Sequence, residues 1–180
     1  RAVENAILNG ASSAPSGLVD FAAEHVGGRR DISDGDLVSA TNLLNLRKEM
    51  GKYGLNPADV TYIVSSASYY DLLSDSAFQT LDEVGSDLAV RVTGTIGAVF
   101  GSPVVVSEEF PADATAGNAC AFAVYARNYV VPRLRGVTVE QDYEVMNQRR
   151  VIVATQSLGF EEIVAGSGTD QPSVVMKFVA

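Results

Sequence analysis

The sequence predicts an α+β protein in which helices come early in the chain and strands are concentrated later. Two observations lead to this prediction. Apolar residues recur at helical spacing through residues 37–50, whereas residues 60–64, 104–106, 119–125 and 151–154 are short apolar runs, most of them β-branched. The chain has 180 residues, enough for one domain with its own core and a smaller appendage.

Residues 2–8 are predicted to form a helix, because apolar side chains recur there at i, i+3 and i+4. An Asn-Gly pair ends it, since both residues tolerate left-handed backbone angles. No capping residue precedes this helix, so we expect further residues before Arg1. Residues 18–30 favour neither helix nor strand, and residues 27–30 are typical of a turn.

The clearest helix spans residues 37–50. Ser33 or Asp34 is its predicted cap, and Asp36 in the first turn suits the positive end of the helix dipole. Gly51 ends it. Its apolar side chains form two neighbouring rows that make a wide stripe for packing on a sheet: Leu37, Ala40 and Leu44 in one row, Leu43, Leu46 and Met50 in the other.

A strand followed by a short helix is predicted next. Residues 60–64 are β-branched or aromatic, and Ser65 or Ser66 then caps a helix that runs to Leu73. Residues 74–94 are polar and irregular and predict a long surface loop.

The second half of the chain predicts mainly strands. Residues 104–106 are expected to be a buried strand, and residues 119–125 and 151–154 are further apolar strands. Residues 158–164 are expected to extend the sheet that contains 151–154. Residues 171–180 fit either a last strand or a tail.

The charge balance excludes one broad class of function. The chain has 13 Lys and Arg against 22 Asp and Glu, a net charge of -9, which argues against a nucleic-acid reader with a basic stripe. Charged residues are only 19% of the chain, which weakly favours a surface that neighbours cover. No apolar run approaches the roughly 20 residues of a membrane span, and no signal peptide is visible, so no membrane association is expected.

Neither the single cysteine nor the single histidine indicates a metal or redox site. Cys120 lies in an apolar run and is interpreted as a small buried side chain in a strand. His25 has no second histidine or cysteine nearby. Asp31, Asp34 and Asp36 lack the spacing of a calcium loop, so capping is the better interpretation.

Patterns that resemble catalytic motifs do not meet their spacing. The glycines of residues 94–101 match neither a dinucleotide-binding nor a phosphate-binding loop. Ser65 and Ser66 follow a strand but lack the glycines of a nucleophile elbow. The paired glutamates at 108–109 and 161–162 would point to opposite faces of a strand. We therefore expect no catalytic, cofactor-binding or metal site.

Residues 133–150 are the most highly charged part of the chain. One interpretation is a hairpin face in contact with solvent; the other is a ribbon that docks on a neighbour through opposite charges, where arginine is the preferred partner. The charge pattern alone does not decide between them. The residues concerned are Arg133, Arg135, Arg149 and Arg150 together with Glu140, Asp142 and Glu144.

Four stretches of the chain stand out as a series: ENAILNG at 4–10, LNPADVTYIVS at 55–65 with YYDLL at 69–73, FGSPVVVS at 100–107, and RLRGVTVE at 133–140 followed by Arg149-Arg150-Val151. In this order they resemble the major capsid proteins of tailed bacteriophages, which have the Hong Kong 97-type fold. The series covers nearly the whole chain.

The resemblance implies an axial domain, in which helices flank a mixed sheet, and part of the peripheral domain's β-strands. Residues 1–16 would be the end of the spine helix and its loop, and 17–132 the axial domain. Residues 133–165 would be peripheral-domain strands, and 166–180 a C-terminal strand or tail. The family's N-terminal arm and extended loop are not among these residues.

The implied function is a structural subunit of an icosahedral capsid, without a cofactor, that self-assembles into pentamers and hexamers around double-stranded DNA. Its partners would be other copies, a scaffold or fused assembly domain, a portal and, as a further candidate, a decoration protein. It would be assembled in the host cytoplasm and reside in the virion. The resemblance favours the interface interpretation of 133–150 and puts an acidic loop, with Asp82, Glu83 and Asp87, near the capsomer centre.

Two alternatives stay open: an encapsulin-like compartment shell, and, far behind it, a small serine hydrolase using Ser65 or Ser66. Some family members also cross-link covalently through a lysine, an asparagine and a nearby glutamate. Asn147 fits the asparagine, but residues 151–154 offer no glutamate. We therefore expect no autocatalytic cross-link.

Overall fold

The structure is a computed structural model that describes residues 2–10, 17–24, 28–33, 36–75, 96–110 and 117–179, without the side chains of residues 23 and 24. The predictions for His25, Asp34, Asp82, Glu83 and Asp87 lie outside these residues. In chain order the elements are α1 (Ala2–Asn9), α2 (Leu18–Glu24), β1 (Arg29–Ser33), α3 (Ala40–Glu49), β2 (Val60–Ser65), α4 (Ser66–Ser74), β3 (Ala98–Val99), β4 (Ser102–Ser107), β5 (Ala119–Tyr125), β6 (Tyr129–Val130), β7 (Arg133–Glu144), β8 (Arg149–Leu158), β9 (Glu161–Glu162) and β10 (Ser173–Val179).

Six strands of the described chain form one mixed sheet in the order β1-β10-β5-β2-β4-β3. β5 runs antiparallel to both its neighbours, β10 and β2, whereas β1 is parallel to β10 and β4 is parallel to β2. The last strand, β10, therefore lies inside the sheet, and the C-terminal residues contribute to the core.

Helices cover both faces of this sheet. Alternate residues of β5 show the two faces: Ala121 and Ala123 belong to the core under α3 and α4, whereas Phe122 and Val124 belong to the core under α1 and α2. The result is a three-layer arrangement of helices, sheet and helices, as expected for a sheet that is apolar on both faces. We call this part the body.

The prediction of a strand followed by a capped helix is confirmed at β2 and α4. Ser65 is the N-cap: its Oγ accepts a hydrogen bond from the Ser68 backbone N–H at 3.1 Å. The Ser68 hydroxyl in turn donates to the carbonyl oxygen of Cys120 in β5 at 3.1 Å. The cap therefore also ties α4 to the middle of the sheet.

The predicted start of the long helix is wrong. Ser33 ends β1, where it pairs with Val179, and α3 begins at Ala40 with Ser39 as its cap. Backbone N–H groups before and at this start donate to carboxylates in and just after α4: Val38 to Asp71 at 3.3 Å and Ala40 to Asp75 at 2.7 Å. These partners are distant in sequence, so the local pattern could not reveal them.

The apolar stripe predicted on α3 is also wrong in part, because it is wider than the buried face of the helix. The row containing Leu43 and Leu46 is buried, but Leu44 is exposed, and so is Leu37, which precedes the helix. The turn predicted at residues 27–30 is wrong in part, because Arg29 and Arg30 already belong to β1. Its parallel pairing with β10 involves residues more than 140 positions away.

Two predictions about late strands are wrong. β4 is not fully buried, since Val105 and Val106 are exposed; only the two-residue strand β3 lies beyond it in the sheet. Residues 158–164 do not extend the strand pair that contains 151–154, because β9 pairs with β6 instead. The exposure of β4 and the pairing of β9 both depend on where a strand lies in its sheet, which an apolar run in the sequence does not reveal.

Candidate subunit interface

β7 and β8 form an antiparallel ribbon, and within the described ranges they pair only with each other. β7 has 12 residues, and a strand of that length extends about 40 Å. A hydrogen bond from the Gly159 N–H to the Pro132 carbonyl oxygen, at 2.8 Å, closes the base of the ribbon. The ribbon, residues 133–158, therefore projects as an arm from the body.

The base of the arm is firmly anchored. Asn128 is buried; its side chain donates to the carbonyl of Val164 at 2.9 Å and accepts from the same residue's N–H at 3.2 Å. Beside it the ring of Tyr129 stacks on Phe160 with centroids 5.4 Å apart. The Tyr129 hydroxyl donates to Ser173 at 2.7 Å, and burial raises the pKa of this hydroxyl to about 12. The sequence prediction missed this anchor, which joins residues far apart in the chain.

The pairing register places the predicted interface residues on two different faces of the ribbon. One face carries the three acids in a row, each opposite a residue of β8: Glu140 opposite Val153, Asp142 opposite Val151 and Glu144 opposite Arg149. The other face carries Val139 opposite Ala154, Gln141 opposite Ile152 and Tyr143 opposite Arg150. Arg150 is therefore separated from the acids, and Arg133 lies at the base, opposite Leu158.

The acidic face neutralises itself only in part. Arg149 pairs with Glu144 at 2.5 Å, and Arg135 lies 3.6 Å from Glu140. These pairs are exposed, so each contributes little to folding. Arg133, Asp142 and Arg150 take part in none of the ion pairs of the described chain. Three charges of the ribbon thus remain available to a neighbour.

Apolar side chains on the ribbon are exposed along its whole length, and the sequence prediction missed this. Met146 at the tip is 93% exposed. The others are Leu134, Val137, Val139, Tyr143, Val145, Ile152 and Val153. An isolated two-stranded ribbon is marginal in water, and a contiguous exposed apolar surface marks an interaction site. The apolar run at 151–154 is the sequence signal for this surface, but a local pattern does not show what covers a strand.

One contact at the ribbon tip bears on covalent cross-linking. The Asn147 side chain donates to Glu144 Oε1 at 2.6 Å. Residues 151–154 contain no glutamate, but Glu144, at the end of β7, places a carboxylate beside Asn147. Glu144 also pairs with Arg149. The absence of a cross-link stays a prediction.

Ser65, Cys120 and Gly101 have structural roles. Ser65 is 3% exposed, and its hydroxyl is engaged with Ser68. Cys120 is buried, as predicted; its thiol donates to the Met176 carbonyl, and burial raises its pKa to about 12. Gly101, with φ of 80°, makes the tight turn between β3 and β4.

Two further findings concern the described residues alone. They hold no group of three or more His, Cys, Asp or Glu side chains arranged to bind a metal ion. None of their helices is long and apolar enough to cross a membrane.

Comparison with known proteins gives a consistent result. No family model matches the chain. It is 39% identical over 176 residues to the major capsid protein of Escherichia phage T5, an alignment that covers 93% of the chain and 38% of that protein. The chain thus spans about two fifths of the length of this curated relative.

Solved structures show the same kind of fold. The chain superposes on the capsid of a native GTA particle with a TM-score of 0.67 and 17% identity, covering 100% of the chain and 61% of that protein. It superposes on a protein of Mycobacterium phage Che8 with a TM-score of 0.62 and 19% identity, covering 88% and 57% of the two chains. The mixed sheet with its flanking helices is therefore a phage capsid-like fold.

Proposed function

We propose that the chain is a member of the family of phage major capsid proteins and is a shell-forming part of a phage capsid subunit, a structural protein rather than an enzyme. The 39% identity supports the family, and the capsid-like fold supports the same conclusion independently of sequence. The function of the complete protein is inferred from a relative of which the chain covers 38%.

The observation that carries the proposal is the ribbon. Its apolar side chains, from Leu134 near the base to Met146 at the tip, are exposed to solvent in a single subunit. At roughly 25 cal/mol for each Å² of apolar area removed from water, covering such a surface favours association by several kcal/mol. A subunit that never assembled would gain nothing from this surface and would risk aggregation.

The finer assignment follows the Hong Kong 97-type plan. In this proposal residues 17–132 form the axial domain, and residues 133–165 form peripheral strands that reach a neighbouring capsomer. β10, in 166–180, completes the axial sheet. Arg133, Asp142 and Arg150 pair with charges on the neighbour, since they have no ion-pair partner in the described chain. The acidic residues Asp82, Glu83 and Asp87 lie near the capsomer centre.

In this scheme copies assemble in the host cytoplasm into pentamers and hexamers that enclose double-stranded DNA without reading its sequence. A scaffold or fused assembly domain, a portal and a decoration protein are the proposed partners. The net charge of -9 supports this arrangement, because an acidic lining does not bind the packaged polymer tightly.

Electron microscopy of the complete natural protein, expressed with and without its neighbouring phage genes, tests the proposal. We expect closed shells or capsomer rings. Monodisperse monomers under every assembly condition would overturn it. The contents of purified shells distinguish a capsid, which holds DNA, from an encapsulin-like compartment, which holds an enzyme. Boiling the shells in detergent should release only monomer-sized bands, and a covalent ladder would contradict the predicted absence of a cross-link.

A further inference from the structure

We propose that the body carries two complementary grooves on its opposite faces, by which a second copy of this chain docks head to tail. This inference rests on the proposed function and deepens it: the ribbon reaches outward to other capsomers, whereas the two grooves join neighbours within one ring.

The first groove, here called the cationic groove, lies at the end of α3 and has a volume of about 600 Å³. Its apolar lining comes from Leu44, Leu55 and Phe100, all exposed, and Leu55 is 79% exposed. Arg47 and Lys48 also line it. The groove thus combines an uncovered apolar floor with positive charge.

The positive charge of this groove is not neutralised by the described chain. Arg47 donates to three carbonyl oxygens, those of Gly54 at 2.6 Å, Phe100 at 3.1 Å and Leu55 at 3.2 Å. These acceptors are neutral, and neither Arg47 nor Lys48 takes part in an ion pair of the described ranges. The arginine holds the groove in shape while its charge remains available to an anionic partner.

Backbone strain supports a role for Phe100. Its φ is 49°, a left-handed conformation that is unusual for a bulky residue and costs about 1–3 kcal/mol. The aromatic ring is half-exposed at the groove, where a neighbour would cover it.

The second groove, here called the acidic groove, has a volume of about 470 Å³ and lies between α1 and the sheet. Val3, Ile7, Ile63 and Val105 supply its apolar lining, with Val3 and Val105 exposed. Glu4 also lines it, and its carboxylate accepts a hydrogen bond from the Ser107 hydroxyl at 2.7 Å.

A second carboxylate bound to α1 also has a neutral partner. Glu109, which is not part of the groove lining, accepts a hydrogen bond from the amide of Asn5, the residue after Glu4, at 2.9 Å. Neither glutamate takes part in an ion pair within the described ranges. The acidic groove therefore matches the cationic groove in apolar character and complements it in charge.

The placement of the grooves determines the kind of contact. The cationic groove borders the α3–α4 layer, whereas the acidic groove is formed by α1 over the other face of the sheet. Two different patches on opposite sides make a head-to-tail contact, and such contacts close into rings when the rotation permits. The geometry therefore favours a second copy of this chain as the occupant of each groove.

Charge reversal in the complete protein tests the pairing. Lys48→Glu on one groove and Glu4→Lys on the other should each lower the yield of assembled particles about tenfold or more, because like charges then face each other across every contact. Combining both substitutions should restore assembly. Particle yield is measured by sedimentation and electron microscopy, and thermal unfolding checks that each variant folds.

A second pair of variants tests the apolar part. Leu55→Ser should lower particle yield with little change in the unfolding temperature. Tyr70→Ser is the matched control, because Tyr70 is also largely exposed but lies in neither groove. If the single charge reversals and Leu55→Ser all assemble normally, or if the double reversal does not recover, the inference is wrong while the capsid function stands. If the unaltered protein forms no assemblies, the proposed function itself fails.

Discussion

The body and the ribbon use similar apolar strands in opposite ways. In the body, β5 is buried along nearly its whole length. In the ribbon, β8 contains the run from Val151 to Ala154, yet nearly all its residues are exposed. The difference lies in the neighbours: β5 lies between β2 and β10 with helices on both faces, whereas within the described residues β8 pairs only with β7. An apolar run therefore predicts that a surface will be covered, but not that the same chain will cover it.

The largest expected effect is in the body. Phe122 is fully buried and stacks on Phe110 with ring centroids 5.6 Å apart. Phe122→Ala should lower the free energy of unfolding by about 3–5 kcal/mol, because it removes apolar contacts and leaves a cavity. Tyr143→Ala is the matched control, since it truncates an exposed aromatic ring of the ribbon. Chemical denaturation measures both, and equal losses would contradict the distinction between body and ribbon.

A smaller loss is expected where α4 joins the sheet. Ser65→Ala removes the N-cap of α4 and the partner of Ser68, both inside the core. It should lower the free energy of unfolding by about 1–2 kcal/mol. Ser66→Ala is the control, because the neighbouring serine is not the cap and should change stability by less than about 0.5 kcal/mol. A similar loss for both variants would show that the cap is not the cause.

The elements that the sequence predicts well are those with local signals. β2 and α4 were found because a β-branched run and a capping serine lie next to each other in the chain. The start of α3 was missed because its N–H groups bond to Asp71 and Asp75, more than 30 residues away. β1 was missed for the same reason, since its partner strand among the described residues is β10, at the other end of the chain. Non-local pairing is the information that a local pattern lacks.

The same difference between local and non-local information applies to the candidate interface. The charged residues of the ribbon could be found from composition, because four arginines and three acids lie within one short segment. The face of the ribbon on which each charge lies depends on the pairing register of β7 and β8. This register puts Arg150 opposite Tyr143 and away from the acids. The exposure of Met146 and Ile152 could not be predicted locally, because it depends on the fact that no other element of the described chain pairs with β7 and β8. The two grooves combine residues from distant segments and had no signal in the sequence.

The smallest effect on folding, with a large effect on assembly, is expected in the ribbon. Ile152 is 63% exposed and lies on the ribbon face that carries Tyr143 and Val139. Ile152→Ser should change the free energy of unfolding by less than about 0.5 kcal/mol, because little buried area is lost. It should nevertheless lower particle yield, since a neighbouring subunit would cover this face.

Leu37→Ser is the matched control for this variant, because Leu37 is 65% exposed on the body and lines neither groove. Both variants are compared by thermal unfolding and by the fraction of protein that sediments as particles. If Ile152→Ser assembled as well as Leu37→Ser, the exposed apolar face of the ribbon would not be an interface. If Ile152→Ser instead unfolded the subunit, the ribbon would contribute to the fold as β5 does, and the contrast between the two regions would be lost.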